Sequence, residues 1–294
     1  MKKKSYVLVV NLKSRKASMA IDEVKKEFTD KKFNVKILEV KNPSRINDTF
    51  RKAMKLKPDV IVLGGGDGTL ISGIEYLAKR DYRKKIGLLP LGTANYLARN
   101  LDIPLTVPES VDLLHKNRIR EIPVGIANDK YFALTFIVGL TQKVSHNVSD
   151  DLKRKIGQMA YIVELGKQAK QHKSFKYRIE SPDLKKTIEG VTHQIIVYNS
   201  DINQQLKLVP DHKLKKPTFK VVISDSGSSK AKMFIGFLAH ILTLGKKRLY
   251  MKVFEAQSLK VTTKPVLPAD FDGETYGKSP FSVAVSSRKV RIIC

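Results

Sequence analysis

The hydrophobic positions of this chain change their rhythm near Arg120. Before it, short apolar runs alternate with segments whose apolar residues recur every three or four places. Tyr6 to Val10 is a short β-rich run, and Asp59 to Leu63 is a largely apolar run of strand length that suits a buried strand. Val35 to Val40 alternates apolar with polar positions, and Lys85 to Pro90 predicts a further strand. Between them, Val24 with Phe28, residues 46–57, and the set Leu70, Ile74, Leu77 and Ala78 fall at helical spacing. This β-α-β-α order predicts a mainly parallel sheet covered by helices.

After Arg120 the strands are shorter and separated by turns: Tyr131–Leu140, Phe175–Ile179, His193–Tyr198, Phe219–Ile223, Leu259–Thr263 and Phe281–Val285. That texture predicts a mainly antiparallel sandwich, interrupted by helices over 151–171 and 230–245. The expected organisation is therefore an α/β N-terminal domain over 1–120 and an antiparallel β-sandwich domain over 121–285.

Composition adds limits. Hydrophobic residues make up 42% of the 294, enough for packed cores. The single cysteine, Cys294, excludes a disulfide within the chain and fits a reducing cytoplasm. The longest apolar run, Met233 to Leu244, is too short to span a bilayer, so a soluble chain is expected. Charge changes the picture more: 55 basic against 28 acidic residues give a formal +27, with the excess in both halves. Such a surface attracts polyanions, either nucleic acid or an anionic membrane leaflet, unless it is only a general basic bias. Nucleic acid is disfavoured because Trp, zinc-ligand spacing and an aromatic stacking run are all missing. The six histidines likewise show no metal-ligand spacing.

Three stretches carry candidate chemistry. In Gly64-Gly65-Gly66-Asp67-Gly68-Thr69, glycines let backbone amides approach phosphate oxygens beside a helix N-terminus. Asp67 cannot favour bare phosphate, so it acts through a metal ion, a ribose hydroxyl or a helix cap. In Pro90-Leu91-Gly92-Thr93-Ala94-Asn95 the Thr93 hydroxyl and neighbouring amides suit phosphate, with Asn95 capping the next helix. Two such turns after neighbouring parallel strands converge on one crevice. In Asp270-Phe271-Asp272-Gly273-Glu274, carboxylates flanking a glycine suit metal coordination or removal of a hydroxyl proton; alone, the stretch reads as a polar hairpin turn.

Together these stretches resemble the diacylglycerol kinase catalytic family, which includes bacterial diacylglycerol kinase-like and YegS-like lipid kinases and the sphingosine kinases. Gly65-Gly66-Asp67-Gly68-Thr69 is similar to the family's nucleotide loop, Pro90 to Asn95 to its second phosphate-binding segment, and Asp272-Gly273-Glu274 to its late acidic motif. Val138-Gly139-Leu140, Lys155 to Tyr161 and Val209-Pro210 follow in the family's order. The resemblance implies a nucleotide-binding first domain, a lipid-acceptor second domain, and a last strand near 286–294 that returns to the first. It implies transfer of the γ-phosphoryl group of ATP, with Mg²⁺, to a lipid hydroxyl, by a cytoplasmic enzyme peripheral to the membrane. On it, Asn11, Gly65, Gly66, Asp67, Gly68, Thr69, Gly92, Thr93 and Asn95 hold the nucleotide. Asp272, Glu274 and Asp67 are the catalytic candidates; no metal ligand or oligomeric state is assigned. Leu12, Arg15, Ser72 and Tyr96 depart from the family's pattern and leave two alternatives: a kinase of the NAD kinase type with a soluble acceptor, or a non-catalytic lipid- or polyanion-binding relative.

Overall fold

The computed structural model describes residues 4–13, 15–93, 95–116, 118–140, 172–199, 217–227, 229–242 and 248–294. The expected helix over 151–171 and the segments Lys155–Tyr161 and Val209-Pro210 lie outside these residues, as does Ala94. The chain divides into two compact units, one of Met1–Val124 with Ser287–Cys294 and one of Gly125–Ser286.

In the first unit the strands β1 (Ser5–Val10), β2 (Asn34–Glu39), β3 (Val60–Gly65) and β4 (Lys85–Pro90) form a parallel sheet in the order β2-β1-β3-β4. β1 and β3 lie inside the sheet, which is why their apolar runs are continuous, whereas β2 is the edge and alternates. The end of the last strand, Arg291 and Ile292, pairs parallel with Lys85 and Ile86 beyond β4. Helix α1 (Arg15–Asp30) lies over one face, with α5 (Val107–Lys116) beside it. There Val24, Phe28, Val111 and Leu114 close a core with Leu8, Val10, Val62, Leu89 and Ile293. Helices α2 (Ile46–Lys55) and α3 (Asp67–Lys79) pack together, Phe50 against Tyr76, and α3 lies against β3. From β1 the chain steps one way to β2 and then back past β1 to β3. The strand order therefore reverses between β1 and β3, the switch point at which open α/β sheets bind ligands beyond the strands' carboxyl ends.

The second unit is a sandwich of two antiparallel sheets. One contains β8 (Phe175–Glu180), β9 (Ile188–Thr192), β13 (Ser258–Lys264) and the start of β16 (Phe281–Ile293). The other runs β12 (Met251–Ala256), β11 (Phe219–Ser224), β10 (Gln194–Asn199), β7 (Thr135–Gly139), β14 (Ala269–Phe271), β15 (Glu274–Tyr276). β5 (Ile119–Ala127) and β6 (Lys130–Phe132) form a hairpin. Alternation along β8 sends Phe175, Tyr177 and Ile179 inward to meet Phe136, Val197, Phe219, Phe271 and Phe281 in one core. Tyr131–Leu140 is not one strand but the two strands β6 and β7. The expected helix over 230–245 is α6 (Lys230–Leu242), with 243–247 outside the described residues.

Candidate functional site

The parallel strands of the first unit deliver three loops to one place. β1 ends at Asn11, whose amide N–H donates to Gly64 O at 3.0 Å, so Asn11 continues the ladder beside β3. Its side-chain Nδ2 donates to Thr69 Oγ1 at 3.0 Å, and its Oδ1 accepts the Lys13 amide at 3.1 Å. With its oxygen accepting from Asn11, the Thr69 hydroxyl has its own proton to direct elsewhere. Gly65 closes β3 opposite Pro90 at φ +152, where a methyl group would meet Thr69 Cβ at 2.8 Å. Glycine here is a steric requirement of the turn into α3.

The second loop, leaving β4, presses on the first. A methyl built on Gly92 would lie 2.6 Å from Gly66 Cα. The loop is held by Asn95, which is buried and left-handed at φ +50, a conformation asparagine tolerates better than most residues. Asn95 Oδ1 accepts the Gly92 amide at 2.9 Å, while its Nδ2 donates to Pro90 O at 3.1 Å. Its side chain therefore does not cap the short helix α4 (Tyr96–Asn100), contrary to the sequence expectation. Asp67 does so instead: its Oδ1 accepts the Leu97 amide at 2.9 Å across the crevice. Of the three roles open to Asp67, the cap is present, but on the neighbouring helix and not its own. Among the described residues its second oxygen has no hydrogen bond. Gly68 and Thr93 are exposed on the same loops, and nothing stands within 4 Å of where a Gly68 methyl would be. Asn11, Gly65, Gly66, Asp67, Thr69, Gly92 and Asn95 are thus joined in one hydrogen-bonded and close-packed group. The linking partner that sequence reasoning missed is the Leu97 amide, because a contact across 30 positions leaves no local signal.

The acidic stretch of the second unit forms a different kind of site. Asp272 sits at φ +52 in the turn between β14 and β15, and its carboxylate accepts amides of Ala133, Leu134 and Thr135 at 2.5–2.8 Å. Burial pushes its pKa up from 3.8 to about 6, against the opposing pull of those amides and with a small push from Asp270. Asp270 is buried and accepts the Gly273 amide at 2.7 Å through Oδ1. Glu274 is exposed and paired with Lys130 Nζ at 3.1 Å. Asp270 and Asp272 share one turn, whereas Glu274 points to solvent. The amides of 133–135 reach Asp272 because β14 pairs with β7, Phe271 opposite Phe136, a long-range register that the sequence does not display. Among the described residues no group of three or more His, Cys, Asp and Glu side chains is placed to hold a metal ion.

The diacylglycerol kinase catalytic domain matches this chain over residues 5–127. A diacylglycerol kinase from Staphylococcus haemolyticus (strain JCSC1435) is 28% identical over 246 residues, covering 82% of this chain and 72% of the relative. Another, from Staphylococcus saprophyticus, is 29% identical over 234 residues, covering 78% and 74%. The crystal structure of a diacylglycerol kinase from Bacillus anthracis str. Sterne has the same fold, with a TM-score of 0.71, 18% identity, and coverage of 100% of this chain and 97% of that one. A second structure from that organism gives 0.76 at 22% identity, covering 100% and 96%. The likeness to diacylglycerol kinases rests on these sequence matches, and the two-part fold, α/β followed by an antiparallel sandwich, on the structural matches together with the sheets described above.

Proposed function

We propose that the chain is an ATP-dependent lipid kinase that moves the γ-phosphoryl group to the hydroxyl of a diacylglycerol-like or sphingoid-like lipid at a membrane surface. The observation that carries this reading is the three-loop group at the switch point, where Asn11, Thr69 and Asp67 tie together the turns after β1, β3 and β4. Phosphoryl transfer needs positioning and charge neutralisation more than covalent chemistry, and a crevice of glycine amides beside the start of α3 supplies the first. In this reading Gly66, Gly68 and Thr93 present backbone and hydroxyl donors to the triphosphate. Asn11 aims the Thr69 hydroxyl, while Asn95 and Gly92 fix the loop's shape from behind. Asp67 holds the two loops through Leu97 and offers its outer oxygen toward Mg²⁺ or a ribose hydroxyl. Mg²⁺, when bound, would neutralise charge on the phosphate oxygens. Asp272, with a pKa near 6, is the group suited to accept a hydroxyl proton close to neutrality. Glu274 lies one residue beyond the same turn. The lipid acceptor is supported by the named function of the staphylococcal relatives, and the membrane surface by the formal charge of +27.

The test is a radiolabelled-ATP assay against a panel of diacylglycerols, sphingoid bases and soluble alcohols, with and without Mg²⁺. Label in a lipid product only when Mg²⁺ is present supports the proposal. Label confined to soluble acceptors, or none in any, refutes it.

A further inference from the structure

The lipid-kinase reading leaves open which surface meets the bilayer. We propose that the corner of the second unit formed by Ile235, Leu249 and Tyr250, flanked by Lys232 and Arg248, inserts into the headgroup layer of an anionic membrane. The inference takes its motive from that reading, although its test does not depend on it.

These three side chains are large, apolar or amphipathic, and 50%, 48% and 41% exposed, although each sits beside well-packed structure. Helix α6 meets the turn before β12 at a glycine, Gly236, which brings the helix beside Leu249 and Tyr250. A methyl on Gly236 would lie 2.5 Å from Leu249 O and 3.6 Å from Tyr250 Cβ. The neighbouring Ile235 is therefore held beside that turn while Met233 is buried beneath. Tyr250 is displayed at φ +54, a left-handed conformation that costs a bulky residue about 1–2 kcal/mol. The Asp225 amide donates to its carbonyl at 2.7 Å and helps to hold that turn.

Charge decides the partner. Lys232 lies one helical turn before Ile235, its Nζ 5.7 Å from the Tyr250 ring, and Arg248 adjoins Leu249, exposed. Asp225, an acid at this corner, is already paired with Lys252 at 2.8 Å. Apolar tips with an interfacial tyrosine and surrounding cations match the boundary between acyl chains and anionic headgroups. A protein partner with an apolar face, or a second copy of this chain, would gain nothing from Lys232 and Arg248, which form no ion pair among the described residues.

The chain contains no tryptophan. A Tyr250→Trp variant of the full chain therefore carries a single indole reporter. Mixed with vesicles of phosphatidylglycerol and phosphatidylcholine, its emission should shift to the blue and be quenched by brominated acyl chains. Pure phosphatidylcholine should produce a much weaker shift. In co-sedimentation, Ile235→Asp combined with Leu249→Asp should weaken binding about tenfold or more, because charges replace the inserted apolar tips. Arg248→Glu should weaken it at least about fivefold, an effect that salt abolishes. An unshifted indole, or unchanged binding by the double variant, overturns the proposal. So does a blue shift that depends on protein concentration without vesicles, which would assign the patch to self-association. Phosphorylation of a short-chain diacylglycerol kept below its micelle concentration separates the two readings. A docking variant should retain it, whereas failure of the parent protein to phosphorylate this diacylglycerol or a short-chain sphingoid base would refute the kinase reading and leave the docking surface standing.

Discussion

Replacing Gly92 by alanine puts a methyl group into the contact between the two glycine loops, and the geometry makes the outcome unequal on its two sides. At Gly92 the added carbon meets Gly66 Cα at 2.6 Å and Asn95 Oδ1 at 2.8 Å. Neither can move aside as a flexible side-chain tip would: one is backbone at the start of α3, and the other is pinned by the Gly92 and Pro90 bonds. Overpacking of this kind costs about 1–3 kcal/mol, and breaking the Gly92–Asn95 hydrogen bond adds about 1 kcal/mol. At Gly66 the added carbon meets Gly92 Cα at 3.5 Å, an ordinary contact, and the backbone there is extended. Gly66→Ala should therefore cost under about 1 kcal/mol. Followed by circular dichroism, the first unit of Gly92→Ala should melt roughly 5–10 °C lower and that of Gly66→Ala within a few degrees of the parent. Nucleotide affinity separates the roles further. Gly66→Ala should still lose affinity if phosphate approaches that backbone, whereas Gly92→Ala loses it through displaced loops, for which about an ångström costs about 100-fold in rate. Equal melting of the two variants, or an unperturbed Gly92→Ala, would refute the packing argument.

Three further outcomes follow from the same geometry. Asp67→Asn keeps an oxygen for the Leu97 amide and should fold normally while phosphoryl transfer falls about 100-fold; Asp67→Ala should also lose the cap, worth about 1 kcal/mol in thermal melts. Asn11→Ala should raise the KM for ATP about fivefold with little change in melting, since it frees Thr69 to rotate; an unchanged KM would count against that role. Asp272 binds its proton more tightly folded than unfolded, so its stabilisation is complete below pH 3.8 and is lost as pH rises through about 6. That loss amounts to about 3 kcal/mol across the two-unit shift. Melting curves of Asp272→Asn, which cannot ionise, should lack this decline, and parallel pH profiles for the two proteins would defeat the assignment.

What could be read in the sequence was whatever the chain writes locally. The apolar run of β3 marked a buried strand, and the alternation of β2 and the spacing of the helices marked their elements, because each of these patterns is written by neighbouring residues. The glycines after β3 and β4 marked turns for the same reason. What escaped was set by distant partners: that Asp67 would cap α4 and not α3, that Asn95 would lock its own loop, and that Asp272 would find three amides on the far side of a β7–β14 pairing. β9 and β12 were likewise illegible, since Ile188–Thr192 and Met251–Ala256 become strands only beside β8 and β11. The unequal glycines show the limit most plainly. The motif treats Gly66 and Gly92 as equivalent small residues, and only the 2.6 Å and 3.5 Å approaches distinguish them.

Strand β16 has a consequence for how the chain is made. Its final residues, Arg291 and Ile292, supply the strand beside β4, and Ile293 belongs to the core formed by Leu8, Val62 and Leu89. During synthesis the first 124 residues leave the ribosome with β4 as an open, aggregation-prone edge, and they wait for the whole sandwich to be translated before that edge is closed. The second unit, whose residues are contiguous, has no such wait. The amino-terminal unit is thus first to emerge and last to be completed, and a nascent chain stalled before residue 291 would carry the glycine loops on an unfinished sheet.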